Sequence, residues 1–511
     1  MSNMYRDLRG YIDALEKNNQ LVRTNKEVDW DLEAGAVARL GYQLNSKAML
    51  LENIKDYPGF RYLGGVFSNW QRAAIAIGLS PNASRREIQD TYRERLDHPI
   101  KPIVIEDAPC QENVITDEDV NLFDLPAPMV HDGDGGRYPT TWSFVATPSY
   151  NTDWINWGMY RQMIHNERTL GGLVLPSQDI GIQYYGGWEP AGQKMPFAAV
   201  IGGEVLTTAV AAVPYGVGRS EVDFAGGLLL EPVELVKCVS VDLLVPANAE
   251  IIIEGYVSPK ERCYEGPFGE YTGYRTSPRM PRVAYHVTAI TYRDNAIMPI
   301  ANMGVPTDEC DMVANTLWRA DLMRVLEENG VPVIDVSMPT EMVMHSAFVS
   351  IKKPYSSIPN KVAKLIFGEK NSGLFIHQIF VCDEDVDVQD LSQVMHVFAT
   401  KWHPKRGTHF FDKTVGVPLH PFLDLEERTW SKASKVCFDC TWPSEWSPTA
   451  EIPVRSSFWD IYPERVIEKV CSTWKEFGQD QDMLPALADY NRIGRWPGSE
   501  TFNKPVVIKK K

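Results

Sequence analysis

The residues best suited to chemistry fall in one short stretch, 264–274, which reads YEGPFGEYTGY. Glu265 and Glu270 stand close together there, with Gly266, Pro267 and Gly269 between them. Glycine and proline at these positions fix an irregular turn, which can aim two carboxylates into one site. Two close carboxylates push one pKa up, while a neighbouring Arg restrains the other. One acid of such a pair can stay protonated near neutral pH and serve as a proton donor. Read by spacing alone, the same stretch is also consistent with a solvated turn. A second stretch, 154–161 (WINWGMYR), sets Asn156 and Arg161 among aromatics. Asn offers an amide oxygen to a hard cation, and Arg offers a bidentate fork to a carboxylate. The plainer reading is a strand in which Arg161 pairs with a structural acid. A third stretch, 220–223 (SEVD), holds Glu221, either an oxygen ligand for Mg2+ or Mn2+ or a surface charge.

The elements that must position these groups follow from periodicity and turn residues. Leu8, Ile12 and Leu15 recur at helical spacing within residues 5–20. Residues 47–65 and 71–78 read as short strands and an apolar segment, followed by a polar helix over 84–96. A Pro- and acid-rich connector ends near Pro128. Residues 138–300 are rich in β-branched and aromatic segments bounded by Gly or Pro, the pattern of a strand-rich domain with a few helices. Residues 311–329 form a strong helix closed by Gly330. From 331 to 460, strands (VPVIDVSM, AFVSIKK, LFIHQIFVCDED) alternate with helices (PNKVAKLIFG, LSQVMHVFATKW). A last helix begins at Pro463, and the chain ends in the basic IKKK.

Composition narrows the function. The chain has 511 residues, with 51 Lys+Arg against 67 Asp+Glu and a formal net charge of −16. That length calls for two or three domains. The acidic balance excludes a protein that coats nucleic acid or docks electrostatically on an anionic membrane. With 14 Trp, 21 Tyr and 19 Phe, the chain is no disordered segment. The N-terminus lacks an apolar signal region, and no run of about 18 apolar residues occurs, so a cytoplasmic protein without transmembrane helices is expected. Eight dispersed Cys suit a reducing compartment; Cys437 and Cys440 form a lone C-x-x-C that reads as buried structural thiols.

Taken together, N-W-x-x-x-R, S-E-x-D and E-G-P-F-G-E with a following T-G-Y resemble the UbiD-like family of prenylated-flavin-dependent decarboxylases. YRDNAIMP (292–299) and VCDEDVDVQD (381–390) are similar to family segments too. The resemblance implies an α/β (α+β) fold: an N-terminal α/β region (1–128), a strand-rich split-barrel domain for flavin and metal (129–305), a linking helix (306–330), an α/β oligomerisation domain (331–460) and a C-terminal helix and tail (461–511). It implies reversible non-oxidative decarboxylation of a phenolic or heteroaromatic acid through a covalent adduct with prenylated FMN. Glu265, Arg161 and Glu270 would form the acid network, with Glu270 as proton donor. Asn156, Glu221 and Asp179, the last where the family commonly has His, would hold Mn2+ or Mg2+ against the flavin phosphate. Lys370 would approach that phosphate, Thr141 and Gln178 would line the flavin, and Trp157 with the backbone of 211–213 would sit by K+ or Na+. His345, Phe375, Val417 and Leu419 are candidates for the substrate pocket; His420 is a second candidate His. The resemblance further implies a flavin prenyltransferase as cofactor supplier, CO2 as co-product, and a homodimer or homohexamer. Two other readings remain open at this point: a two-carboxylate carbohydrate hydrolase and a non-catalytic subunit of a larger assembly.

Overall fold

The computed structural model describes residues 5–213, 215–370, 372–446, 452–453 and 455–479. The basic end of the expected C-terminal tail lies outside them. The opening helix, Leu8–Lys17, starts where the Asp7 carboxylate accepts from the Gly10 amide at 2.8 Å, and it buries Leu8, Tyr11, Ile12 and Leu15. It packs beside a four-stranded sheet ordered Leu21–Thr24, Ala48–Leu51, Arg61–Gly64, Ile297–Ile300. The polar helix lies at Arg85–Leu96 behind its Ser84 cap, as its sequence indicates. The apolar segment after the first strands is itself a helix, Trp70–Ala76. Its residues from Arg72 to Ala76 are all buried, so it has no polar face and shows no periodicity to read.

The middle of the chain builds an eight-stranded sheet. At its centre the long strand Ile251–Glu265 runs antiparallel to Met280–Tyr292, with Glu265 opposite Met280. Met195–Ile201 and Ser143–Pro148 extend the sheet on one side, and Thr169–Gly172 and Gln162–Asn166 on the other. Strand pairing crosses the expected division of the chain at several points. Asn113–Thr116 joins this sheet from the N-terminal side, while Ile297–Ile300 returns to the first sheet.

The linking helix runs from Glu309 through a π-helical turn at Ala314–Trp318 to Glu328, and Gly330 follows at φ +69°. It leads into a five-stranded mixed sheet ordered Val333–Ser337, Ser346–Ile351, Gln378–Asp383, Lys432–Cys440, Thr408–Val415. Helices Ile358–Gly368 and Leu391–Thr400 pack on it. Cys437 and Cys440 are buried free thiols of this sheet. Among the described residues, no helix is long and apolar enough to cross a membrane.

Candidate active site

Glu265 ends the long central strand, and Arg161 sits between the strands Ile155–Gly158 and Gln162–Asn166. The sheet therefore delivers both side chains to the same end. Arg161 Nε donates to Glu265 Oε1 at 2.9 Å and Nη2 to Oε2 at 3.1 Å, a bidentate fork. Its Nη1 pairs with Glu270 Oε1, so one guanidinium spans both acids. Tyr138, also buried, donates its hydroxyl to Glu265 Oε1 at 2.8 Å. Glu265 is thus committed on both oxygens and is fully buried. A carbohydrate hydrolase needs two carboxylates that reach the scissile bond from either side. Glu265 has no free face for that role, and the hydrolase reading falls.

The loop after Glu265 holds Glu270 in place. Gly266 adopts φ +81°, the left-handed region that L side chains resist. The Gly269 amide donates to Asp134 Oδ1 at 3.1 Å, and a Cβ there would stand 2.6 Å from the His131 ring. That ring is itself held by Asp134 Oδ2 at 2.9 Å and Asn302 Oδ1 at 2.6 Å. Burial pushes the Glu270 carboxyl above its ordinary range; Arg161 opposes this and the charge of Glu265 reinforces it. Burial also disfavours the charge on Arg161, but Glu270 and Glu265 outweigh it and hold the guanidinium protonated.

Arg161 and Glu270 open into a cleft. One end is polar. Asn156, Gln178, Asp179 and Lys370 line it, together with Thr141 and Trp157. Asp179 and Glu221 each begin a helix, Asp179–Gln183 and Glu221–Leu229, and both are buried. The Tyr160 hydroxyl ties Asn156 Nδ2 (3.2 Å) to the Ile180 amide (3.3 Å), which fixes Asn156 beside Asp179. Glu221 Oε2 accepts from the Trp157 amide at 3.1 Å. Burial pushes Glu221 up to about 8, with the Trp157 amide opposing and the charge of Asp179 adding. Burial raises Asp179 as well, against the ion pair that it makes with Lys370. Two buried acids with one lysine and an amide are a donor set suited to a hard divalent cation, which would remove the penalty on both charges. Gln178 turns its Oε1 to the Leu175 amide (2.9 Å), Thr141 Oγ1 accepts from Ala301 (3.1 Å), and the Ala212 carbonyl accepts from Trp318 Nε1 (2.9 Å).

The other end is apolar. Met303, Cys310, Val313 and Trp318 come from the linking helix and its approach, and Met344, Leu374, Phe375 and Leu419 from the C-terminal domain. Phe375 and Leu419 stand on this wall, as the sequence indicates. Val417 and His345 are buried and are not among the lining residues. Their neighbours Leu419 and Met344 line the cleft instead. Tyr138, Tyr271 and Trp318 were not legible as site residues. Tyr271 had a signal, since it follows Glu270 directly, whereas Tyr138 and Trp318 reach the site only through the tertiary fold.

Models of the N-terminal, Rift-related and C-terminal domains of 3-octaprenyl-4-hydroxybenzoate carboxy-lyase match residues 12–92, 103–306 and 311–440. Pyrrole-2-carboxylic acid decarboxylase of Pseudomonas aeruginosa is 32% identical over 489 residues, covering 92% of this chain and 98% of that one. The chain belongs to the UbiD family. Ferulic acid decarboxylase 1 of Saccharomyces cerevisiae, another relative of this UbiD-family enzyme, is 30% identical over 496 residues and the same shares of the two chains. The closed form of Sedimentibacter hydroxybenzoicus vanillic acid decarboxylase superposes with a TM-score of 0.85 at 29% identity, covering 93% of this chain and all of that one. The UbiD-class enzyme HmfF from Pelotomaculum thermopropionicum, solved in complex with prFMN, gives 0.74 at 26% identity and covers 88% of this chain and 97% of that one. The family is one of carboxy-lyases, so the chain is read as a decarboxylase and the non-catalytic reading falls.

Proposed function

We propose that this UbiD-family chain removes CO2 reversibly from an aromatic carboxylic acid with prenylated FMN as cofactor. The observation that carries the reading is the single guanidinium of Arg161 shared between the committed Glu265 and the raised, cleft-facing Glu270. Loss of CO2 from an sp2 carbon leaves a carbanion that no side chain can delocalise, and the prenylated flavin supplies that electron sink when bound. Asn156, Asp179 and Glu221 would hold Mn2+ or Mg2+, and Lys370 would face the flavin phosphate once that ion takes over Asp179. Thr141, Trp157 and Gln178 would line the flavin, with K+ or Na+ near Trp157.

The remaining work belongs to the chain. The apolar wall holds the aromatic ring and excludes water. Arg161, locked by Glu265, keeps its charge and fixes the position of Glu270. Glu270 holds its proton in the dry cleft and delivers it to the carbon that has lost CO2; in the reverse direction the same oxygen takes it back. The wall suits a planar aromatic ring, and the acid proposed is phenolic or heteroaromatic. Flavin would come from a prenyltransferase, and the assembly would be a homodimer or homohexamer in the cytoplasm. The test is co-production with a flavin prenyltransferase, then a screen of aromatic acids read by CO2 release. Flavin absorbance with CO2 release from at least one acid is expected. Colourless protein that turns over an acid, or flavin-loaded protein inert to the whole panel, would overturn the reading.

A further inference from the structure

Behind the apolar wall lie three histidines that the proposed chemistry does not use. His345 directly precedes the strand Ser346–Ile351, and His377 directly precedes the strand Gln378–Asp383. Ser346 pairs with Gln378 in parallel register, and the His377 amide donates to the His345 carbonyl at 2.9 Å, so the two rings stand side by side. His420 comes from the turn after Thr408–Val415 and completes the group. Ring centroids lie 4.4 Å apart for His345 and His420, 4.9 Å for His345 and His377, and 5.1 Å for His377 and His420. One ligand nitrogen from each can be chosen so that all lie within 4.8 Å of one another.

The cluster is poorly satisfied as it stands. His345 Nε2, His377 Nδ1 and both ring nitrogens of His420 are buried without a hydrogen-bond partner. His420 is 0% exposed and His345 8%. A buried polar atom without a partner forfeits its hydration and gains no hydrogen bond in return. Stacking alone does not account for a group that leaves four such atoms together. Packed around it are Tyr271, Phe422 and, as a charged neighbour, Lys435, whose Nζ donates to the Gly373 carbonyl. Among the described residues, no carboxylate or thiol joins the group.

We propose that His345, His377 and His420 form a binding site for a divalent transition metal, Zn2+ foremost, distinct from the cation site at Asn156, Asp179 and Glu221. Three imidazoles with no carboxylate suit a borderline-soft ion such as Zn2+ and leave a fourth position for water or an anion. The rings are available as ligands at neutral pH: burial holds His345 down to about 3, His377 to about 4 and His420 to about 2, the neighbouring imidazoles and Lys435 adding to the effect. Binding needs only small movements, since Zn–N bonds of about 2.0–2.1 Å ask the nitrogens to close in from their present spread. Each histidine lies one or two positions from a wall residue: Met344, Phe375 or Leu419. The metal would therefore clamp three separate segments of the cleft wall.

The test uses the full chain, stripped with chelator and titrated with Zn2+ and, for its visible spectrum, Co2+. Expected are one equivalent of Zn2+ and a tetrahedral Co2+ absorption that survive Glu221→Gln and vanish in His377→Ala. Zn2+ raises the melting temperature of Glu221→Gln and leaves that of the Glu221→Gln/His377→Ala double variant unchanged. His345→Gln gives the same loss and serves if His377→Ala does not fold. Binding that Glu221→Gln abolishes, or equal Zn2+ uptake by the wild type and a folded histidine variant, would overturn the proposal.

Discussion

Glu270→Gln separates chemistry from architecture, because the structure predicts opposite effects on the two. Gln keeps the carbonyl oxygen that accepts from Arg161 Nη1, and Arg161 keeps its fork on Glu265. The substitution removes a second buried acid from beside Glu265, which adds to the raised proton affinity of Glu270. The fold should therefore be as stable as the wild type or slightly more so. Catalysis should collapse. A positioned general acid is worth about 10²–10⁴ in rate. Glu270 is 4% exposed, and Glu265, the other acid of the network, is closed off at 0%. No second acid of the network can take over, so the upper half of that range applies: about 10³–10⁴, or roughly 4–5 kcal/mol at 1.36 kcal/mol per decade. CO2 release from the flavin-loaded variant measures it. Exchange of the product's ring hydrogen with D2O reads the same proton in the reverse direction, without net turnover. Because the acid must be protonated, wild-type CO2 release falls as pH rises through the raised pKa of Glu270, and the variant lacks that limb. A folded, flavin-loaded variant within tenfold of wild-type rate would refute the assignment.

Tyr138→Phe deletes the hydroxyl that Glu265 Oε1 accepts and leaves a fully buried carboxylate short of one donor. A loss of about 1.5–3 kcal/mol is expected, read as a lower denaturation midpoint together with slower turnover. Gly269→Ala puts a methyl 2.6 Å from the His131 ring, so the loop should shift and activity fall at least tenfold with far-UV circular dichroism unchanged. Glu204, fully buried at the start of the helix Val205–Ala211, is pushed up to about 8 by burial. Its proton is held by the folded chain and not by the unfolded one between about pH 4.5 and 8, so its contribution is complete below that window and lost as pH rises through it. Glu204→Gln should flatten the decline of melting temperature across the window, and an unchanged pH profile would refute the claim.

Chemistry was more legible in the sequence than the surroundings that make it work. Glu265, Glu270 and Arg161 carry charge at fixed spacing beside glycines, and that signal survives without coordinates. The linking helix was legible because its apolar face repeats and Gly330 stops it. The helix Trp70–Ala76 was not, since burial on every side erases periodicity. Tyr138 and Trp318 look like any aromatic in the chain, and only the fold brings the hydroxyl of one to Glu265 and the other to the cleft. His345 and His420 stand out in the sequence only as separate pocket candidates; His377 and His420 lie 32 and 75 positions from His345, and pairing and turns create their proximity.

The division of labour along the chain bears on how substrate choice can change. The acid network and the polar end of the cleft come almost wholly from the strand-rich middle domain, with Lys370 the exception. The apolar wall comes from the linking helix and its approach and from helix and turn residues of the C-terminal domain. A π-helical turn at Ala314–Trp318 interrupts that helix just where Val313 and Trp318 meet the cleft, a distortion often found at functional sites. Substitutions at Val313, Phe375 or Leu419 alter the shape that the ring meets and touch none of the bonds around Arg161. A methylene gained or lost on such a wall changes discrimination by about 1–3 kcal/mol. Phe375→Ala and Leu419→Ala should therefore shift kcat/KM between small and bulky aromatic acids by 10- to 200-fold while the pH profile set by Glu270 stays in place. A shift in that profile would mean that wall and network are coupled, against the separation that the structure shows.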